Sequence, residues 1–268
     1  FNIGGALGIA ILSTVAVSRA DDALSGVGRE AELRATTEGF QAAFAVAAGL
    51  AAIGALLAVL LFRPRGLVQD PMERPERFVP YRTRIVVRRP LSNVRFKGTV
   101  LVEWQNVTAG YDLDALWNRR HVREGYAWVG VSAQRVGVDQ LRGWSPTRYG
   151  GLDVTGGGAF VGDELSYDVF AQAAEALKSP GAVDPLGGLD VERILAIGAS
   201  QSAGRMTVYY NVVLPQEQPV FDGYAFIVGS APSRIGPEPI IQVLSETDVT
   251  NPATRRPDSD VFRRWEVA

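Results

Sequence analysis

Hydrophobic and polar residues are arranged differently in the first quarter of the chain and in the rest. Residues 40–62 form a run of 23 residues without a charged side chain, and residues 3–17 form a second apolar run. A helix rises about 1.5 Å per residue, so a run of this length can cross the roughly 30 Å hydrocarbon layer of a membrane. The pattern predicts a membrane helical segment over residues 1–62 that contacts the lipid bilayer.

Two polar segments separate the apolar runs from each other and from the rest of the chain. Residues 18–38 mix acidic and basic side chains, which predicts a loop between two helices. Residues 63–80 contain four prolines and four arginines and show neither helical nor strand periodicity. This composition predicts a linker, after which residues 81–268 form a separate domain.

Beyond the linker, short apolar runs rich in β-branched residues alternate with segments of helical periodicity. Strands are predicted at 83–89, 98–106, 126–134, 192–200, 223–230, 239–245 and 262–268, and helices at 112–124, 163–179 and from about Ala203. Residues 135–162 have no clear period and are predicted to be a loop around a pocket. The alternation predicts an α/β fold with a mostly parallel sheet flanked by helices, which places functional groups at the carboxyl ends of the strands.

Composition removes several classes of function. The net charge of −2 gives no basic surface for nucleic acid, and the absence of cysteine excludes disulfides and thiol catalysis. No metal-ligand cluster or dinucleotide fingerprint is found, and the Gly-rich residues 155–162 lack the strand-to-helix context of a phosphate loop. No cofactor and no metal are therefore predicted.

The segment ILAIGASQSAGRM, residues 194–206, carries the strongest chemical signal. An apolar strand is followed by small residues and then a helix, as in a nucleophile elbow, where strand and helix nearly touch. Ser202 is the preferred nucleophile because Ser200 and Gly204 are small residues on both sides of it, and Ser200 is the second candidate. The backbone N–H of Ala203 would then bind the oxyanion. The alternative is an ordinary serine cap of a helix.

Four blocks of this region, TRIVVRRP, GTVLVEWQNVTAGYD, GASQSAGR and IIQVLSETDV, resemble a bacterial family of α/β-hydrolase-domain proteins over residues 78–268. The resemblance implies a serine hydrolase that acts on small-molecule esters. In this fold a second oxyanion donor follows an early strand, which points to Val107, and the triad acid follows a late strand. Asp248 is preferred as that acid, and Glu246 is the alternative.

The catalytic histidine is expected to be absent from this chain. The one histidine, His121, precedes the serine, whereas the fold orders its triad as serine, acid, histidine, and His121 shares a helical stripe with Leu113 and Trp117. In the resembling family the histidine follows the last strand, so this chain is expected to stop before it and to show little turnover.

The first quarter, residues 1–64, resembles the last two helices of drug-efflux transporters of the major facilitator superfamily. This resemblance implies a membrane-associated protein with its hydrolase domain in the cytoplasm. It also leaves a second hypothesis open, in which the chain is the end of a transporter and the hydrolase fold is an appended domain with a non-catalytic or binding role.

Overall fold

The computed structural model describes residues 13–19, 29–61, 78–249 and 256–267. The chain divides into two compact units, Phe1–Glu76 and Arg77–Ala268. Most of the predicted linker, up to residue 77, lies outside the described residues. The two units are described separately below.

The amino-terminal unit contains helical residues 13–19 and the long helix α1, Arg29–Leu61. The prediction of a loop over residues 18–38 is wrong for its second half, because residues 29–38 belong to α1. This stretch is rich in Glu, Ala, Leu and Arg, which all have high helix propensity. Among the helices within the described ranges, none is both long enough and apolar enough to cross a membrane. Residues 1–12, 20–28 and 62 of the predicted membrane segment lie outside the described residues. The membrane segment and the resemblance to transporter helices stay predictions.

The second unit alternates strands and helices. Its strands are β1 (Ile85–Arg88), β2 (Thr99–Trp104), β3 (Ala127–Val131), β4 (Arg193–Ala199), β5 (Gly223–Ile227), β6 (Ile240–Ser245) and β7 (Phe262–Val267). Its α-helices are α2 (Arg119–Arg123), α3 (Arg135–Trp144), α4 (Pro146–Tyr149), α5 (Ser166–Lys178) and α6 (Gln201–Val208). A π-helical turn, Tyr209–Val213, and 3₁₀ turns at Leu214–Gln216 and Glu246–Asp248 complete the unit.

Within the described residues, the strands form one sheet in the order β1-β3-β2-β4-β5-β6-β7. β1 pairs with β3 in the antiparallel direction, and the other neighbouring strands pair in parallel. β3 is buried along its whole length and β4 over most of it, as is typical of central parallel strands, which explains their apolar sequences. The predicted α/β class with a mostly parallel sheet is confirmed.

The helix predicted at 112–124 is much shorter in the structure, where it spans Arg119–Arg123. Asn118 caps its start by accepting a hydrogen bond from the N–H of Arg120. Upstream, the N–H of Leu113 donates to the carbonyl of Asn106, which holds the chain in a bridge instead of a helical turn. Long-range pairing has therefore overridden the local helical pattern.

The segment predicted as a loop at 135–162 contains two helices, α3 and α4. The first packs Val138 and Leu141 into the core, so its apolar positions recur at helical spacing over a stretch too short to stand out in the sequence. The irregular residues that remain, 150–162, are fewer than predicted.

Candidate active site

Ser200 lies at a sharp turn between a buried strand and a helix. β4 ends at Ala199 and α6 begins at Gln201, so Ser200 alone makes the turn. Its backbone has φ 54° and ψ −114°, and its side chain is exposed. A residue other than glycine rarely adopts positive φ, and such strain is concentrated at functional sites. Ser200 therefore occupies the tip of a nucleophile elbow, at the carboxyl edge of the sheet.

Ser202, the preferred nucleophile from the sequence, lies in the first turn of α6 and is 0% exposed. Its Oγ accepts a hydrogen bond from the N–H of Ala199 at 2.9 Å and donates to the carbonyl of the same residue at 3.0 Å. The hydroxyl thus ties the helix to the end of β4 and does not face solvent or a cavity. The geometry corrects the sequence prediction in favour of its second candidate, Ser200.

The small residues of the elbow are Gly198 and Ser202, two positions before and two after Ser200. A Cβ on Gly198 would lie 3.1 Å from the carbonyl carbon of Ser202 and 2.6 Å from the sulfur of Met206. Gly204 has open space around its Cβ position, so the strand does not require a glycine there. The pentapeptide of the elbow is therefore GASQS, residues 198–202, which begins two residues before the predicted pentapeptide SQSAG.

Because the elbow is centred on Ser200, the first oxyanion donor is also a different residue from the one predicted. The N–H groups in the first turn of a helix have no acceptor within that helix, and the residue after the nucleophile supplies one of them. With Ser200 at the tip, that residue is Gln201. Ala203, the donor predicted from the sequence, is 0% exposed, and a Cβ on Gly229 would lie 2.5 Å from its own Cβ. Ala203 is thus a packing residue.

The loop after β2 is attached to the elbow by two hydrogen bonds, one from Asn106 to Ala199 and one from Val107 to Gln201. The Asn106 side chain donates from Nδ2 to the carbonyl of Ala199 at 2.9 Å and accepts the N–H of Thr108 at 2.8 Å. The N–H of Val107 lies 3.4 Å from Oε1 of Gln201. Val107 is therefore next to the elbow, and its role as an oxyanion donor stays a prediction. Asn106 is a residue that sequence reasoning missed.

The acid candidates lie in the 3₁₀ turn that follows β6. Oδ2 of Asp248 accepts hydrogen bonds from the N–H of Ser245, at 3.0 Å, and from the hydroxyl of Ser245. Glu246 is exposed. Because β4, β5 and β6 are parallel neighbours, Asp248 and Ser200 lie at the same edge of the sheet.

A cavity of about 680 Å³ adjoins the acid turn and the segment that follows β5. Asp248 lines it together with Arg256, Arg264 and Val228. Val228 follows the strand residue whose carbonyl accepts the N–H of Ser200 at 2.9 Å, and its φ of 52° is strained for a β-branched residue. The cavity therefore lies at the carboxyl edge of the sheet, and the residues of the elbow are not among those that line it.

His121 lies at the opposite edge of the sheet. Its carbonyl accepts the N–H of Tyr126, directly before β3 begins, whereas Ser200 follows the end of a parallel strand. Burial lowers the pKa of the His121 side chain, and the nearby Glu124 partly opposes this shift. The ring packs edge-on against Trp117, at 6.2 Å between ring centroids. His121 is therefore not a base for Ser200, and the sequence contains no other histidine.

A buried carboxyl supports the strand that leads to the Asn106 loop. Glu103 on β2 is 0% exposed and accepts hydrogen bonds from Nε1 of Trp128 at 2.8 Å and from the N–H of Leu116 at 3.0 Å. Burial raises the pKa of Glu103 to about 7, against the effect of these two donors. Glu103 thus titrates near neutral pH, although it does not reach the elbow.

Comparison with known proteins identifies the family of the chain. A family model described as alpha/beta hydrolase domain matches residues 67–268. The chain belongs to this family. An α/β serine hydrolase without a lid from Xanthomonas campestris shares 12% identity with the α/β-hydrolase chain at a TM-score of 0.39, and the match covers 70% of this chain and 85% of that one.

A prolyl endopeptidase structure shares 10% identity at a TM-score of 0.41, and this match covers 69% of the α/β-hydrolase chain but only 32% of the endopeptidase. A search of curated proteins gave no match.

The α/β-hydrolase domain therefore brings together some of the predicted groups and separates others. Ser200, Val107 and Asp248 lie at one edge of the sheet, Ser202 and Ala203 are buried beneath it, and His121 is at the other edge. In the part of the chain that the structure describes, no three acidic or histidine side chains are grouped to hold a metal ion.

Proposed function

We propose that the α/β-hydrolase domain is a serine hydrolase that cleaves ester bonds of small molecules, with Ser200 as its nucleophile. The observation that carries this proposal is the exposed Ser200 hydroxyl on a strained backbone between β4 and α6. This arrangement presents an oxygen nucleophile beside unpaired helix-terminal N–H groups, which is what acyl transfer requires.

The reaction follows from the positions of these groups. Oγ of Ser200 attacks the ester carbonyl carbon, and the negative charge that forms on the carbonyl oxygen is bound by the backbone N–H groups of Gln201 and Val107. Collapse of this intermediate breaks the C–O bond and releases the alcohol. Water then attacks the acyl-serine and releases the acid.

Proton transfer needs an imidazole between Ser200 and Asp248, and we assign Asp248 the role of orienting it. His121 cannot take this place because it lies at the opposite edge of the sheet. Loss of one essential triad member can lower kcat on the order of a million-fold while leaving some catalysis over water. This chain is therefore expected to acylate slowly and to turn over very little.

A fluorophosphonate probe tests the nucleophile, because Oγ displaces fluoride and stays covalently bound to phosphorus. The full chain should be labelled slowly at a single peptide that contains Ser200. Ser200→Ala should abolish labelling, whereas Ser202→Ala should retain it and lower the melting temperature, since it removes two buried hydrogen bonds. Labelling that persists in folded Ser200→Ala and disappears in Ser202→Ala would contradict the assignment.

A second candidate function is a hydrolase fold kept as a binding module, as the second sequence hypothesis supposes. The cavity of about 680 Å³ that Asp248 lines at the carboxyl edge of the sheet favours it. Under this alternative the folded chain is not labelled even after long incubation, yet a non-hydrolysable ester analogue raises its melting temperature.

A further inference from the structure

Gln201 has a second connection to the oxyanion site through its side chain. Its Oε1 lies 3.4 Å from the N–H of Val107, and its Nε2 donates to Oε1 of Gln134 at 2.9 Å. Gln134 is 2% exposed and follows β3 at the same edge of the sheet. Gln201, the proposed first donor to the oxyanion, thus also accepts a hydrogen bond through its side-chain oxygen from Val107, the proposed second donor.

The orientation of both amides is fixed by their neighbours. Nε1 of Trp104 can only donate, and it donates to Oε1 of Gln134 at 3.1 Å. The carboxylate of Asp163 can only accept, and it accepts from Nε2 of Gln134 at 3.1 Å. Gln134 therefore presents an oxygen to Gln201, so Gln201 must turn its NH₂ group toward Gln134 and its oxygen toward Val107.

Asp163 is itself held in place by two further donors. It accepts the N–H of Arg135 at 2.7 Å and the guanidinium of Arg205, on α6, at 2.9 Å. The chain of hydrogen bonds thus starts and ends on the elbow helix. A rotation of the Gln201 amide would place its NH₂ group against the N–H of Val107, which is a donor facing a donor.

We infer that the amide oxygen of Gln201 stands in for the carbonyl oxygen of the substrate, covering the N–H of Val107 in the free protein and being displaced when an ester binds. The inference rests on the proposed serine hydrolase function. A distance of 3.4 Å is longer than that of an ordinary N–H···O bond, so the contact is weak. A charged oxyanion forms shorter and stronger bonds and therefore replaces it.

The test compares rates of fluorophosphonate labelling of the full chain. Gln201→Met has a similar length and no strong acceptor, so it uncovers Val107, while Gln134 keeps its bond from Trp104. Its labelling rate should rise about threefold to tenfold, because one weak neutral hydrogen bond no longer has to be broken. Gln216→Met, on an exposed glutamine, should not change the rate and serves as the control.

Gln201→Glu gives a second measurement, which would not change if the role of Gln201 were purely structural. A carboxylate beside the developing oxyanion should slow labelling at least tenfold at neutral pH, and the rate should recover as acid neutralises it. The inference is overturned if Gln201→Met is labelled at the parent rate or more slowly while its melting temperature is unchanged. If the Met variant melts early, Gln201→Ala carries the same expectation. Persistent labelling of Ser200→Ala would instead refute the proposed function itself.

Discussion

The elbow and the acid turn lie at the same edge of the sheet, but different contacts hold their functional groups. Ser200 is fixed by segments distant in sequence, since Ile227 accepts its N–H and the Asn106 loop binds the residue before it. Asp248 is fixed locally by Ser245, three residues earlier. Long-range packing thus creates the strained turn, whereas a short-range cap creates the acid turn. Changes around the elbow should therefore alter reactivity, and changes in the acid turn should mainly alter stability.

The largest effect is expected where strand and helix touch. Gly198→Ala places a methyl group 2.6 Å from the sulfur of Met206 and 3.1 Å from the backbone of Ser202, which pushes α6 away from β4. Fluorophosphonate labelling of Ser200 should be lost, and urea unfolding should show a destabilisation of about 1–3 kcal/mol.

The matched control is Gly204→Ala, where the added methyl group meets open space. Because alanine favours a helix over glycine, this variant should be more stable by about 0.5–1 kcal/mol and should be labelled normally. Normal labelling of Gly198→Ala, or loss of labelling in Gly204→Ala, would show that the elbow is centred elsewhere.

The next effect is on stability and not on labelling, and it concerns β2, the strand that leads to the Asn106 loop. The pKa of Glu103 is raised from 4.5 to about 7 in the folded protein, so the folded state binds this proton more tightly than the unfolded state. The associated stability is present below pH 4.5 and is lost as the pH rises toward 7. The free energy of unfolding should fall by about 3 kcal/mol across this window on account of Glu103.

Urea titrations between pH 4.5 and 8 measure this dependence. Glu103→Gln should flatten the slope in that window, although its overall stability also changes because glutamine can accept only one of the two hydrogen bonds. Glu175→Gln, on an exposed glutamate, should leave the slope intact. An unchanged slope in Glu103→Gln would mean that the carboxyl is ionised throughout.

The sheet was predictable from the sequence, but the identity of the nucleophile was not. Runs such as residues 98–106 and 192–200 are β-branched and apolar, so their strand character is local and visible. Ser200 and Ser202 both have small residues two positions away, so spacing alone cannot separate them. The backbone strain at Ser200 and the burial of Ser202 decide the matter, and both arise from tertiary packing.

Other parts of the site were hidden for related reasons. The role of Asn106 depends on the carbonyl of Ala199, 93 residues later, and no local pattern signals that contact. The helix predicted at 112–124 fails for a similar reason, since Leu113 pairs with the same loop. Asp248 was predicted from its place after a late strand, and it does follow β6, but its role as the triad acid stays a prediction.

The hydrogen bond from Asn106 to Ala199 gives a third test of the elbow. Asn106→Asp keeps the acceptor for Thr108 but replaces the donor to Ala199 with a carboxylate oxygen, so carbonyl and carboxylate repel each other. Moving the loop, and with it Val107, should slow labelling of Ser200 about tenfold to a hundredfold, as expected for loss of a buried hydrogen bond.

Asn118→Asp is the corresponding control at a site away from the elbow. Asn118 also accepts the N–H two residues later, and aspartate is an equally good helix cap. This variant should keep both its labelling rate and its stability. Equal slowing of the two variants would mean that the added negative charge, rather than the lost tether, affects the reaction.

The smallest effect is expected on the acid side. Asp248→Ala removes the two hydrogen bonds that its carboxylate accepts from Ser245, and with them one half of the capping box that begins the 3₁₀ turn. Loss of such a cap costs about 1 kcal/mol, which thermal unfolding can measure. Labelling of Ser200 in this chain should hardly change, because Asp248 is proposed to act through an imidazole that the chain does not place there. Glu246→Ala, at the exposed neighbouring acid, should change neither quantity. If Asp248→Ala slowed labelling more than Asn106→Asp did, the carboxylate would have to influence Ser200 directly, and the division between a reactive elbow and a structural acid turn would no longer hold.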